Sequence, residues 1–153
     1  MTMRFWLMKS EPNVFSIDDL MARPNQTEPW EGVRNYQARN FMREMQEGDL
    51  AFFYHSNCKE VGIVGVMKIV KAAYADDSAL DENSPYFDAK STLEKPRWWR
   101  VDVQFVEKFE RTIMLQDLKT KVELGDFQLV QRGNRLSILP VTGMQWEFIN
   151  VLK

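Results

Sequence analysis

The chain's one histidine and one cysteine stand three residues apart, as His55 and Cys58 in Tyr-His-Ser-Asn-Cys. A thiolate nucleophile needs a nearby base, and this pair has the right residue types. The surrounding sequence supplies no third group to orient the histidine, as a working triad requires. No catalytic residue is assigned on this basis. One histidine and one cysteine do not make a zinc site, and the carboxylates show no ligand spacing, so no metal and no cofactor are expected. The chain also lacks Gly-x-Ser-x-Gly, His-Glu-x-x-His, Cys-x-x-Cys, Walker A and Gly-x-Gly-x-x-Gly motifs.

Binding chemistry is better represented. Polar and aromatic residues gather where strands end and turns begin. Lys9 and Ser10 close the first strand. Trp30 and Val33 lie in the Glu-Pro-Trp-Glu-Gly-Val turn, and Asn35 and Tyr36 open the first long helix. Tyr54, His55, Ser56 and Asn57 close the second strand. A pocket that reads a nucleobase needs a flat ring for stacking and amides or hydroxyls for the base edge. Trp30 offers the plane, and Asn35 and Ser56 offer paired donors and acceptors. Arg34, Arg39, Arg132 and Arg135, with Lys9, are placed to hold phosphates around such a mouth. Each residue also has a plainer role: Lys9 solvated, Trp30 covering a core edge, Asn35 capping a helix, His55 satisfied at a strand end.

These side chains must be positioned by short elements. Met3 to Lys9 alternates as a strand. Ser16 with Asp19 three residues on is a weak capping box for a helix in Ser-Ile-Asp-Asp-Leu-Met-Ala. The chain around Trp30, with Pro24, Pro29 and Gly32, reads as irregular. Ala38, Phe41, Met42 and Met45 form one apolar helix face, with Asn35 at the N-cap and Gly48 at the C-terminal end. Asp49–His55 and Gly62–Tyr74 read as strands, with Gly62 and Gly65 marking a bend or a close backbone approach. A long loop over residues 75–96 follows. The next strand, over residues 97–109, puts Trp99, Val101, Val103 and Phe105 on one face and Trp98, Arg100, Asp102 and Gln104 on the other. A short helix over 115–120 and a last strand ended by Pro140 precede a C-terminal helix, capped by Thr142 and Gln145. Strict strand–helix alternation is absent, which predicts an α+β fold with a mixed, mainly antiparallel sheet curling into a small barrel.

Composition is that of an ordinary globular chain of 153 residues, 44% hydrophobic and 27% charged, so one domain over 1–153 is expected. A lone cysteine excludes an internal disulfide and fits a reducing, intracellular compartment. No signal-peptide pattern and no membrane-length apolar run occurs. A monomer with no membrane partner is expected. The net charge of −2 argues against coating duplex nucleic acid by bulk electrostatics and leaves room for a local basic patch.

Eight blocks together resemble the EVE domain family: FWLMKSEP, FSIDDL, WEGVRNYQARNFMREMQEGD, FFYHSN, GIVGV, PRWWRVDVQFV, LKTKVELGD and RLSILPVT. The likeness runs essentially end to end. It implies a PUA-like fold, similar to YTH, PUA and ASCH domains, and, through the family's bacterial single-domain layout, a cytoplasmic location. It also implies a non-catalytic module whose partner is DNA or RNA carrying a modified or flipped base, with modified cytosines the favoured class. By motif, Lys9, Ser10 and Trp30 occupy the places of the corresponding residues in YTH domains, which read N6-methyladenosine in RNA. Asn35 is the chosen polar contact, and Tyr36, Tyr54, Trp98 and Trp99 are the rings open to completing the cage. One departure is Glu60-Val61 before Gly-Ile-Val-Gly, where many family members have a proline; loss of that proline implies a looser turn. Two other functions compete. One is an ASCH-like hydrolase using Lys9 or Glu11 near His55. The other is a protein adaptor presenting the acidic stretch Asp76–Asp88 and an exposed Trp98-Trp99 pair.

Overall fold

Strand β1 spans Phe5–Ser10 in a computed structural model that describes residues 3–153. Its alternation sends Trp6 and Met8 to one apolar core and Leu7 to another. That explains why the strand is apolar on both faces until Lys9. β1 runs parallel to β3 (Leu50–His55) and antiparallel to β6 (Ile138–Val141). Antiparallel pairing then joins β3 to β4 (Gly62–Ala75), β4 to β5 (Trp99–Met114), and β5 to β2 (Thr27–Trp30). The sheet order is β2-β5-β4-β3-β1-β6.

The class is α+β with a mixed, mainly antiparallel sheet, but the ladder does not close into a barrel. Its edges are β2 and β6. Helix α2 (Tyr36–Glu44) touches β4, β5 and β6, so a helix bridges the region that strand pairing would have to close. Ala38 and Met42 of α2 are fully buried there, with Phe41 and Met45 beside them, the face expected from spacing. The helix ends at Glu44, before the glycine. Gly48, with φ +95°, serves a turn in which the Asp49 amide donates to the Gln46 carbonyl.

The inner core collects Trp6, Phe53, Met67 and Val101 with α2 and with α1 (Ile17–Ala22). The outer core collects Leu7, Phe52, Phe127 and Ile149 beneath α3 (Leu115–Leu118) and α4 (Gly143–Leu152). Both capping boxes form: Ser16 with Asp19 at α1, and Thr142 with Gln145 at α4. At Gly62 and Gly65 a Cβ would stand 2.1 and 2.2 Å from carbonyl oxygens of β5, so the close approach read from these glycines exists.

Two expectations change. The segment before Trp30 is a strand, not irregular chain; β2 is a sheet edge, where the missing amide of Pro29 is tolerated. Trp98 and Trp99 are not an exposed pair. Trp98 is 5% exposed and its Nε1 donates to Asp88, while Trp99 packs against the inner core. The acidic loop also turns some of its charge inward, because Asp76 is buried and Asp88 takes the Trp98 hydrogen bond. The adaptor function thus loses its exposed aromatic pair, while Asp77, Asp81 and Glu82 of the loop stay exposed. Among the described residues, no helix is long and apolar enough to cross a membrane.

Candidate functional site

Parallel pairing of β1 with β3 puts their carboxyl ends side by side, Lys9 opposite Tyr54 and Ser10 opposite His55. A cavity of about 530 Å³ opens beside the β1 end. Trp30 forms one wall. It meets Phe53 edge-on at 5.3 Å and Phe15 edge-on at 6.2 Å between ring centroids. Trp30 is 7% exposed, so these contacts fix the ring while the inner core takes most of its surface. Phe15, Pro29 and Val33 extend the apolar lining, and Ser10 and Asn35 add polar groups.

Local structure explains how each is held. Ser10 shares the face of Trp6 and Met8, and its Oγ donates to the Phe15 carbonyl at 2.7 Å, tying the following loop to the strand end. Asn35 caps α2, its Oδ1 accepting from the Ala38 amide at 2.9 Å. Capping therefore orients the Asn35 amide at the cavity edge, and the plain role and the binding role coincide in one residue. Gly32 has φ +84°, and a Cβ there would meet the Tyr86 ring at 2.6 Å, so the Trp30–Val33 turn accepts Tyr86 only because residue 32 is glycine.

Arg34 is the anchor of this corner. Its five guanidinium N–H groups donate to the carbonyls of Val33 and Tyr86, to Asp76 and to Ser78. With all five donors used, none remains for a phosphate, which corrects the expectation for Arg34. Asp76 has a fully buried side chain and also accepts from the Gly32 amide at 3.0 Å. Burial alone would push its carboxyl up, but hydrogen bonds from Ser78, the Gly32 amide and Arg34 outweigh this and hold it below the usual range.

The cavity carries both signs of charge. Arg23 pairs with Glu28 at 3.3 Å, and Glu31 pairs with Arg100 at 2.9 Å. Burial, with nearby Asp76, raises the Glu31 carboxyl above its ordinary value. Arg135 lines the mouth, exposed and, among the described residues, without an ion pair.

Other predicted residues go elsewhere. Lys9 borders this cavity, yet its Nζ lies 5.5 Å from the Tyr54 ring centroid, on the face opposite Ser10. Tyr54 is 2% exposed and belongs to the outer core, so it completes no cage around Trp30. Tyr36 lies outside the cavity, stacked on Trp98 at 5.0 Å with Arg39 over its ring at 4.7 Å. Arg39 also bonds Asn40 and the Arg97 carbonyl. Ser56 and Asn57 brace the β1 end from outside the cavity, the Ser56 amide donating to the Ser10 carbonyl and Asn57 Nδ2 to Glu11. Arg132 lines a different cavity. Phe15, Tyr86 and Asp76 were missed. Phe15 had a signal, an apolar residue just before the Ser16 N-cap. Tyr86 had none, because the contact that seats it is made by Arg34, 52 residues away.

His55 is not a free base. Its Nε2 accepts from the Ile17 amide at 3.2 Å and so steadies the start of α1. Burial lowers its pKa. The neutral form is the one that accepts, so the stabilisation is complete above the ordinary value of about 6.5 and is lost as pH falls through the lower folded value. Thermal melts should show stability decreasing as pH falls below about 6.5. His55→Ala should flatten that limb and cost about 1–3 kcal/mol, since it leaves the Ile17 amide unpaired. An unchanged limb would remove His55 as its source.

The EVE domain family model matches residues 4–152. Thymocyte nuclear protein 1 of Gallus gallus is 49% identical over 94% of the chain and 66% of its own length, and the Homo sapiens protein is 49% identical over 94% and 71%. The chain thus spans about two thirds of the length of these relatives. The crystal structure of human THYN1 protein in complex with 5-methylcytosine containing DNA superposes with a TM-score of 0.91 at 49% identity, covering 97% of this chain and 96% of that one. A Pseudomonas syringae protein structure gives 0.93 at 54% identity, covering 97% and 98%. A Zygosaccharomyces rouxii YTH domain, at 13% identity and a TM-score of 0.56 over 98% and 86%, shares the fold.

Proposed function

Since the chain belongs to the EVE domain family, we propose that it binds nucleic acid by taking one modified base, a modified cytosine, into the cavity walled by Trp30. The observation that carries this is the cavity's chemistry: fixed aromatic and apolar walls, with Ser10 and Asn35 at the edge and a volume of about 530 Å³. That size lies within the range of small-molecule sites, about 300–1,000 Å³. The human THYN1 complex with 5-methylcytosine DNA supports the same reading. Carboxylates suit an exocyclic amino group, which cytosine presents as a donor, and Glu31 lines the cavity. The apolar walls suit a methyl substituent. Mixed charge suits recognition of a single extruded or unpaired base better than coverage of a duplex.

Titration with oligonucleotides carrying cytosine, 5-methylcytosine, 5-hydroxymethylcytosine or N6-methyladenosine at one position tests this. Burying one methyl is worth about 0.8 kcal/mol, so 5-methylcytosine should bind about fourfold more tightly than cytosine. Equal affinity across the four bases, in both DNA and RNA, would overturn the reading.

A further inference from the structure

Beside the base cavity lies a second one, of about 420 Å³, on the other side of the β1 end. Lys9, Lys119 and Arg132 supply three cations, Tyr54 lies in its wall, and Gly133 and Asn134 form its rim. None of its lining residues is acidic. Among the described residues, none of the three cations takes part in an ion pair. The contrast with the first cavity is sharp, because Glu11, Glu28 and Glu31 stand among the cations there.

Lys9 is the telling member. It is half-buried, and β-strand alternation turns its ammonium away from Ser10 to lie over Tyr54. Burial lowers its pKa, which is the mark of a cation with too little compensation. Burial also pushes the Tyr54 phenol up to about 12, with Cys58 adding to the effect, so at neutral pH the hydroxyl keeps its proton and can donate. Three cations and a neutral hydroxyl, without a carboxylate, fit an oxyanion with several acceptor oxygens.

The two cavities are joined through one turn. The Asn134 amide donates to the Gln131 carbonyl, Gly133 takes φ +81°, and the Lys9 amide donates to the Ser137 carbonyl at 2.8 Å. Arg132 therefore faces the second cavity and Arg135 the first.

We infer that the cavity formed by Lys9, Tyr54, Lys119 and Arg132 is a phosphate subsite, which holds a backbone phosphate next to the base seated against Trp30. Placing the base in the first cavity rests on the function proposed above; the phosphate chemistry of the second stands on its own residues. In this arrangement the strand crosses the 131–135 turn, with the base on one side and the phosphate on the other. The first cavity supplies selectivity and the second supplies affinity that ignores sequence.

Two probes test it. Inorganic phosphate, titrated into the full chain, should shift the NMR signals of Tyr54 and raise the Lys9 titration, and the Lys119→Gln/Arg132→Gln double variant should lose both responses. Both residues are exposed, so the variant should fold. A single-stranded oligonucleotide with one 5-methylcytosine is then scanned with single neutral methylphosphonate linkages. One linkage adjoining the modified base should cost about tenfold in wild type and little in the double variant, as expected for a charge-assisted contact. The variant's log affinity against log salt should be shallower by about 0.7, one phosphate contact on a single strand. Absence of any phosphate response overturns the subsite. A phosphate response without a methylphosphonate penalty overturns the backbone assignment and leaves a free-phosphate site. Failure of base selectivity in the unmodified oligonucleotides would instead count against the first cavity, with the phosphate titration still reading the second.

Discussion

Arg34→Ala is expected to lose about 3 kcal/mol of stability, the low end of the usual cost of breaking a buried ion pair, because Arg100 and the Gly32 and Ser78 hydrogen bonds stay with Asp76. The Asp76 side chain is fully buried, and Arg34 at 3.2 Å is the nearer of its two cations, Arg100 standing 4.0 Å away. The same change frees the Tyr86 carbonyl, which accepts two of the five guanidinium bonds. Tyr86 then loses its seat over Gly32, and one wall of the base cavity loosens. A domain of this size should melt about 10 °C lower. Arg34→Lys should rescue little, because an ammonium has three donors and no planar fork. The pH dependence carries a further signature. Asp76 stabilises fully above the ordinary Asp value of about 3.9, and that contribution fades as pH falls through its depressed folded value. Removing Arg34 takes away part of the depression, so the gap between wild type and variant should narrow below about pH 4. Chemical denaturation across pH reads all of this. A variant as stable as wild type, with a shallower salt dependence of binding, would return Arg34 to a phosphate role.

The second large effect falls on Trp30. Trp30→Ala should cost about 3–5 kcal/mol of stability, because the ring packs against Phe15 and Phe53 in the inner core. It should also weaken binding by about 1–3 kcal/mol, roughly tenfold to a hundredfold, through lost base stacking. Trp30→Phe separates the two. A smaller ring keeps the contact with Phe53 and should stay folded while losing part of the stacking area and of the preference for a modified base. Calorimetric titration with the 5-methylcytosine oligonucleotide, beside a melting curve, distinguishes them. If folded Trp30→Phe and Trp30→Ala both bind as wild type does, the base sits elsewhere.

Local patterns carried most of the element reading. Capping pairs such as Ser16 with Asp19 and Thr142 with Gln145 are complete within four residues, and the apolar face of α2 repeats on its own turn. The alternation of β5 named Val101 and Val103 as core. What stayed hidden depended on distant chain. β2 looked irregular because Pro29 argues against a strand unless the strand is known to be an edge, and only pairing with β5 makes it one. Barrel closure could not be judged without knowing that α2 reaches β6. In the site, Ser10, Trp30, Val33, Asn35 and Arg135 do line one cavity, while Tyr54 and Arg132 line another. Neighbours along a strand point to opposite faces, so Lys9 and Ser10 were bound to part company. Proximity in sequence had grouped them.

The pairing of β1 has a consequence for how the molecule is made. Met8 lies against Ile138, and the Lys9 amide bonds to Ser137. A ribosome delivers the early partner long before the late one. Until residues 137–141 emerge, β1 can align with β3 but keeps one edge open, and the 131–135 turn dividing the two cavities is not yet fastened to β1. Pairings this remote in sequence form slowly, and an open apolar edge invites association with other chains. Both cavities are therefore completed in the last stage of assembly. A nascent or truncated chain lacking that strand would carry Trp30 and Lys9 without a fastened turn to separate the two cavities.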